Sequence, residues 1–175
     1  MGKLSIYNTI GDYSNADDII NEFMRRSNHY VFPNTYIGHY ECDILEITKA
    51  GYAYEYEVKT SRSDFKSDAN KIWKSRYHNT IISIKSDLIK QGKRVNHFYY
   101  VCPANLIRVN EIPEYAGLIY VKTYEHSACV DYRIIKNAPK LSKEKLGGKL
   151  LDKCFKSTYY RFHKLRKQFK KIKEL

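Results

Sequence analysis

The chain switches between two hydrophobic periods, and the switches mark its elements. Residues 1 to 14 carry little periodicity and are expected to form an irregular lead-in. Ile19, Ile20, Phe23 and Met24 then recur at helical spacing behind the capping residues Ser14-Asn15. Asp17 and Asp18 suit a first turn, so a helix is expected to end near Arg26, with Glu22 one position off its apolar stripe. His29 to Phe32 reads as a short strand closed by Pro33-Asn34, and Tyr36 to Ile47 brings the chain into a hairpin. Ala53 to Thr60 keeps the period of two, and Lys49-Ala50-Gly51 has the length and the glycine of a hairpin turn.

Beyond Thr60 the helical period returns. Ser61-x-x-Asp64 is a loose capping box opening a helix with Phe65, Ala69, Ile72, Trp73 and Tyr77 on one face and Lys66, Lys71, Lys74 and Arg76 on the other. Ile81 to Lys90 fits both periods, with Ile81, Ile84 and Leu88 favouring a helix that Gln91-Gly92-Lys93 ends. Phe98 to Val101 is an apolar run suited to a buried central strand. Gly117 to Tyr124 and Cys129 to Ile135 are two further strands, which either widen the sheet or form a small antiparallel addition. The pattern is that of an α/β protein.

The hairpin from Glu41 to Lys59 carries the candidate chemistry. Ala53, Glu55, Glu57 and Lys59 share one strand face, which holds the charge, while Tyr54, Tyr56, Val58 and Thr60 share the packing face. Asp43 lies within the apolar run Cys42-Asp43-Ile44-Leu45 and can meet Glu57 across the pair; a half-buried carboxylate there needs a partner. Two such carboxylates repel unless a proton or a cation lies between them. Mg²⁺ accepts one or two carboxylates, a carbonyl and phosphate oxygens, and Lys59, about 6.6 Å beyond Glu57 on the same face, suits water orientation or phosphate stabilisation. Hydrolysis of a phosphodiester fits these parts. Glu41, Glu46 and Glu55 are left without a role, Glu55 being the best placed as a supporting or alternate ligand.

Asp43 followed after thirteen residues by Glu57-Val58-Lys59 resembles the D...(D/E)-x-K signature of the PD-(D/E)XK nuclease superfamily. Thr60-Ser61-Arg62-Ser63-Asp64-Phe65-Lys66-Ser67-Asp68, with Lys71 and Trp73 after it, is similar to the S-R-x-D-F-x-x-D-x-K-W run of its MmcB-like DNA-repair branch. Asn96 to Pro103 and Ala116 to Ile119 are similar to later blocks of that branch, so the resemblance spans roughly residues 16 to 121. It implies a restriction-endonuclease-like αβββαβ core, a mixed central sheet flanked by helices. It also implies a Mg²⁺ or Mn²⁺ cofactor held by Asp43, Glu57 and the Val58 carbonyl, with Glu22 completing the metal site and Lys59 handling the water. Cys42 stands where the family name has proline, and the segment from Tyr77 to Val95 is longer than the family leads one to expect.

Composition agrees with a polyanionic partner. The chain of 175 residues is large enough for one domain with a core, and its net charge of +12 favours nucleic acid. Neither a stretch of about 20 apolar residues nor a signal-peptide core is seen, which points to the cytoplasm and away from membranes. Four widely spaced cysteines suggest reduced thiols, and six histidines show no metal-ligand spacing.

Composition changes at Leu141, which divides the chain into a nuclease-like domain, 1–140, and a basic helical extension, 141–175. The extension holds twelve Lys or Arg against three Asp or Glu. Leu151, Phe155, Tyr159, Phe162, Leu165, Phe169 and Ile172 recur every three or four residues, giving a long amphipathic helix that is expected to dock on the domain. Self-association through Phe155, Phe162 and Phe169, as a homodimer, is the other use of that stripe. Lys156, Lys164, Lys167, Lys170 and Lys171 are expected to form a rail for a nucleic-acid backbone, the alternative being a solubilising face. Together these features lead us to expect a metal-dependent endonuclease acting on DNA, with RNA as the other substrate, in repair, recombination or the processing of mobile or phage DNA. The alternative is a nucleic-acid-binding module on a nuclease scaffold that does not cleave.

Overall fold

The computed structural model describes residues 16–68, 71–74, 80–124 and 127–173. Its elements run α1 (Ala16–Arg26), β1 (Tyr30–Ile37), β2 (Tyr40–Ile47), β3 (Ala53–Val58), α2 (Arg62–Asp68), β4 (Ile72–Lys74), β5 (Ile81–Ile84), α3 (Lys85–Lys90), β6 (His97–Pro103), β7 (Gly117–Tyr124), β8 (Ser127–Lys136) and α4 (Gly147–Lys173). Six strands make one mixed sheet in the order β1-β2-β3-β6-β7-β8, and β4-β5 form a separate two-stranded sheet. The first three strands are an antiparallel meander. β6 and β7 continue the sheet in parallel, and β8 returns antiparallel. The chain is thus an α/β protein with a long C-terminal helix, and its last two strands widen the main sheet.

β3 is where antiparallel pairing changes to parallel, and it is buried on both faces. Tyr56 and Val58 join Tyr99, Val101 and Ile119 beneath Ile19 and Ile20 of α1. On the opposite face Ala53, Phe98, Tyr100 and Leu118 pack with Ile89 of α3, Phe65 of α2 and Leu150, Leu151 and Cys154 of α4. The turn between β2 and β3 is closed by Gly51, whose φ of 87° is one that glycine adopts without strain.

Three elements differ from the sequence expectation. β1 does not stop at Phe32 but runs through Pro33, which is tolerated because β1 is an edge strand where a missing N–H costs no ladder bond. The helix expected to run past Phe65 ends at Asp68, and Ile72–Lys74 is a strand paired with Ile81–Ile84. Asp68 is buried and held by charged partners, and Trp73 stacks on His39 at 3.7 Å, so tertiary contacts override the helical spacing of Ile72 and Trp73. The helix favoured over Ile81 to Lys90 is likewise divided into β5 and a one-turn-and-a-half α3.

α4 spans 27 residues, about 40 Å at 1.5 Å per residue. Only its beginning docks as expected. Leu150, Leu151 and Cys154 pack on the core, Phe155 meets Tyr30 and Phe32 edge-on, and Arg161 donates to the carbonyls of Pro33 and Asn34. Beyond that, Phe162 and Phe169 are 62% and 63% exposed. The segment leading into α4 is tied to the body: Leu141 N donates to Asn96 O, and Asn96 Nδ2 donates to the carbonyls of Ser142 and Glu144. Cys42, Cys102 and Cys154 are buried free thiols, all three raised in pKa chiefly by burial.

Candidate active site

The hairpin register places the expected residues together. β2 and β3 pair from Ile47↔Ala53 to Ile44↔Tyr56, and just past the last pair the Val58 N–H donates to Asp43 Oδ2 at 2.7 Å. Asp43 therefore grips the peptide that follows Glu57. Burial first, and then the Glu57 charge, pushes the Asp43 carboxyl up to about 6, as two carboxylates within electrostatic reach require. On the next residue of the Glu57 face, Lys59 Nζ lies 3.0 Å from Glu57 Oε1.

Around this pair the structure builds an ion network that the sequence did not disclose. Lys59 Nζ also reaches Asp68 Oδ1 at 3.3 Å and Asp64 Oδ2 at 3.4 Å. Lys71 Nζ sits 2.7 Å from Glu57 Oε1 and 2.6 Å from Asp68 Oδ1, while Lys85 Nζ sits 2.7 Å from Glu57 Oε2 and 3.4 Å from Glu55 Oε1. The Arg94 guanidinium forks onto Glu55 at 2.5 and 2.8 Å and donates to Ile37 O at 2.5 Å. Tyr100 OH donates to the other Asp68 oxygen at 3.1 Å.

Burial opposes ionisation of Glu57, yet Lys85, Lys59 and Lys71 together hold its carboxyl well below the usual range. Lys85 and Arg94 respond in the opposite sense. Burial disfavours their charge, but Glu55 and Glu57 more than compensate and raise both. Glu57 and Lys59 are each only 2% exposed; solvent reaches the cluster at Lys71 and Asp64, whose side chains are 40% and 46% exposed.

Glu55, the residue expected to support the metal or replace a ligand, is instead engaged by Arg94 and Lys85 and is fully buried. Lys71, expected on a basic helix face, lies between α2 and β4 and points at Glu57 and Asp68. Lys66 is exposed on α2 and Lys74 is exposed on β4. Arg76 and the side chains of Glu22 and Lys171 lie outside the described residues. Lys164, Lys167 and Lys170 are exposed on α4, whereas Lys156 pairs with Asp152 one turn earlier at 2.7 Å.

Asp68, Lys85, Arg94 and Tyr100 were not expected at the site. Asp68 had a signal, the S-R-x-D-F-x-x-D run, but no assigned role. Lys85 and Arg94 had none, because they enter from the segment between β4 and β6. Among the described residues no three His, Cys, Asp or Glu groups converge for a metal. The carboxylate oxygens gathered here come from Asp43, Glu57, Asp64 and Asp68, hard donors of the kind Mg²⁺ or Mn²⁺ takes, with those of Glu57 and Asp68 already held by ammonium groups.

Among the described residues, no helix is long and apolar enough to cross a membrane. No family model and no curated protein matches the chain. Its fold is similar to that of the SPO1766 protein of unknown function from Silicibacter pomeroyi, at a TM-score of 0.58 and 16% identity over 86% of this chain and 88% of that one.

Proposed function

We propose that the chain is a metal-dependent endonuclease of the PD-(D/E)XK type acting on DNA. The observation that carries this is the meeting of Asp43, Glu57 and Lys59: the Asp43 carboxylate accepts the Val58 N–H at 2.7 Å while Lys59 Nζ contacts Glu57 at 3.0 Å. The order α1, three antiparallel strands, α2 and, after an insertion of β4, β5 and α3, a strand parallel to the third is compatible with the αβββαβ core of that superfamily.

Asp43, Glu57 and the Val58 carbonyl would hold Mg²⁺ or Mn²⁺, which supplies charge neutralisation and Lewis acidity at a phosphate. Within the protein, Asp43 orients the backbone beside Glu57. Glu57 and Asp68 fix the Lys59 ammonium group beside the proposed metal ligands, and because it is buried the groups at the solvent edge would have to move for a phosphate to approach it. Lys66 and Lys74, with Lys164, Lys167 and Lys170 on α4, supply exposed positive charge for the nucleic-acid backbone.

Plasmid nicking in Mg²⁺, Mn²⁺ or EDTA tests the proposal. Glu57→Gln and Lys59→Met should each lower cleavage on the order of a hundredfold or more while DNA binding persists; retained cleavage in either refutes the assignment.

A binding module without cleavage is favoured by one feature, the saturation of both Glu57 oxygens by ammonium groups. A depression of about 450 Å³ lined by Tyr159, Tyr160, His163, Lys164 and Lys167 offers such a module rings and charge for stacking. Its signature is DNA binding without nicking in any metal. The exposed Phe162 and Phe169 suit pairing of two α4 helices, and light scattering distinguishes a dimer from a monomer.

A further inference from the structure

We infer that Lys71 is a resident counter-ion, whose ammonium group a divalent cation displaces from between Glu57 and Asp68. The inference rests on the metal-dependent reading above and adds to it a residue that governs how the cation enters.

Three ammonium groups touch Glu57, those of Lys59, Lys71 and Lys85. Two cannot leave cheaply. Lys59 and Lys85 are 2% and 1% exposed, and each is enclosed by two or more carboxylates with no open path along which its ammonium group could return to water. Lys71 is different: at 40% exposure, its long side chain can return its charge to water by rotation alone. The backbone need not follow, because the Lys85 N–H holds the Lys71 carbonyl at 3.1 Å.

Charge balance points the same way. In the sealed part of the network Glu55, Glu57 and Asp68 face Lys59, Lys85 and Arg94, so the buried charges already cancel. Lys71 is an additional positive charge at the solvent edge of that balanced set. A divalent cation arriving at Glu57 with Lys71 still 2.7 Å from the same oxygen would meet direct repulsion. Exchange of one for the other removes the Lys71 share of that repulsion, while Lys59 and Lys85 remain at 3.0 and 2.7 Å from Glu57. The released ammonium group is then left at the solvent edge of the site, free to meet a phosphate oxygen of the incoming strand.

Mn²⁺ binding to the full-length chain, followed through the free-ion electron paramagnetic resonance signal at neutral pH, tests the exchange. Lys71→Gln should bind Mn²⁺ about fivefold or more tightly than the parent chain, and Lys71→Arg, which keeps the charge, should stay within about twofold of the parent. Equal or weaker binding by Lys71→Gln overturns this inference and leaves the nuclease proposal standing. Absence of Mn²⁺ binding in all three chains overturns both. A second measurement needs no variant: acylation of amines read by mass spectrometry should show Lys71 gaining reactivity on Mn²⁺ addition while Lys59 and Lys85 stay protected. A Lys71 reactivity indifferent to Mn²⁺ overturns the displacement.

Discussion

The backbone N–H of Lys85 donates to the carbonyl of Lys71 at 3.1 Å, and the two side chains end on opposite oxygens of Glu57, each at 2.7 Å. The β4–β5 hairpin lies between these two lysines, so it is closed at its base by one backbone bond and fastened to the same carboxylate by two ammonium groups. Tyr40 OH, donating to Ser83 O at 2.6 Å, and the His39–Trp73 stack fasten the hairpin to the β1–β2 turn. A segment inserted between the third and sixth strands is therefore part of the electrostatics of the site rather than an ornament on it.

Lys85→Met should destabilise the fold. The substitution removes the partner of Glu57 Oε2 and one partner of Glu55, while Lys59 and Lys71 still hold Glu57 and Arg94 still holds Glu55, at a cost of about 1–3 kcal/mol. Urea unfolding measures it. Coupling to Glu57→Gln discriminates the cause, since the double variant should lose less than the sum of the two single losses by about 1–3 kcal/mol. Strict additivity would show that the Lys85–Glu57 contact is not the origin of the loss.

Stability should respond to pH through two carboxyls of opposite sign. Glu57 is held below its ordinary value, so its contribution is full above about 4.5 and is lost as pH falls below that. Asp43 is raised from 3.8 to about 6, so the folded state binds its proton more tightly than the unfolded chain. This group therefore costs stability as pH rises from about 4 to 6, on the order of 1–3 kcal/mol after solvent screening. Asp43→Asn keeps an acceptor for the Val58 N–H and abolishes the charge. It should be more stable than the parent above pH 6 and lack the decline between pH 4 and 6. A variant that is less stable at neutral pH, with the decline intact, would contradict the assigned cause.

The sequence disclosed the hairpin because period two is unambiguous when Gly51 marks the turn and both flanking strands alternate cleanly. Asp43, Glu57 and Lys59 on adjoining strands are by themselves a weak pattern, and it is the run from Thr60 to Trp73 after them that singles them out as candidates. What the sequence concealed arose from distance. Lys85 and Arg94 lie 28 and 39 residues from the carboxylates they neutralise, and nothing local distinguishes them from surface cations. The same distance hid how the charged face of β3 is closed: the face was expected to carry charge, and it does, but beneath counter-ions supplied by later elements. Ile72-Trp73-Lys74 misled for another reason. Three residues fit a helix face and a strand equally, and pairing with Ile81–Ile84 decided between them.

Gly117→Ala should destabilise without touching the charged network. Gly117 pairs with Tyr99 across β6 and β7, and a Cβ there would fall 2.4 Å from ring atoms of Tyr99 and 2.7 Å from Ala138 N. The ring must move, and with it the Tyr56–Tyr99 stack at 5.7 Å beneath α1. A loss of about 1–3 kcal/mol is expected, with a changed near-ultraviolet tyrosine dichroism. An unchanged unfolding midpoint would mean that the sheet yields there freely.

The cationic rail on α4 makes a prediction about salt rather than about cleavage. Lys164, Lys167 and Lys170 are exposed on the part of α4 beyond its docked first turns. Replacing all three by Gln should therefore leave the unfolding transition in place. If they contact phosphates, each releases condensed counterions on binding, and the slope of log affinity against log salt should fall by roughly 2–3 for the triple variant on duplex DNA. Lys156 provides an internal comparison, because Asp152 already pairs with it at 2.7 Å, so Lys156→Gln should change the slope by less than one of the other three. Fluorescence anisotropy across a salt series measures all of these. A triple variant with the parental slope would remove α4 from the nucleic-acid interface and leave its charge a matter of solubility.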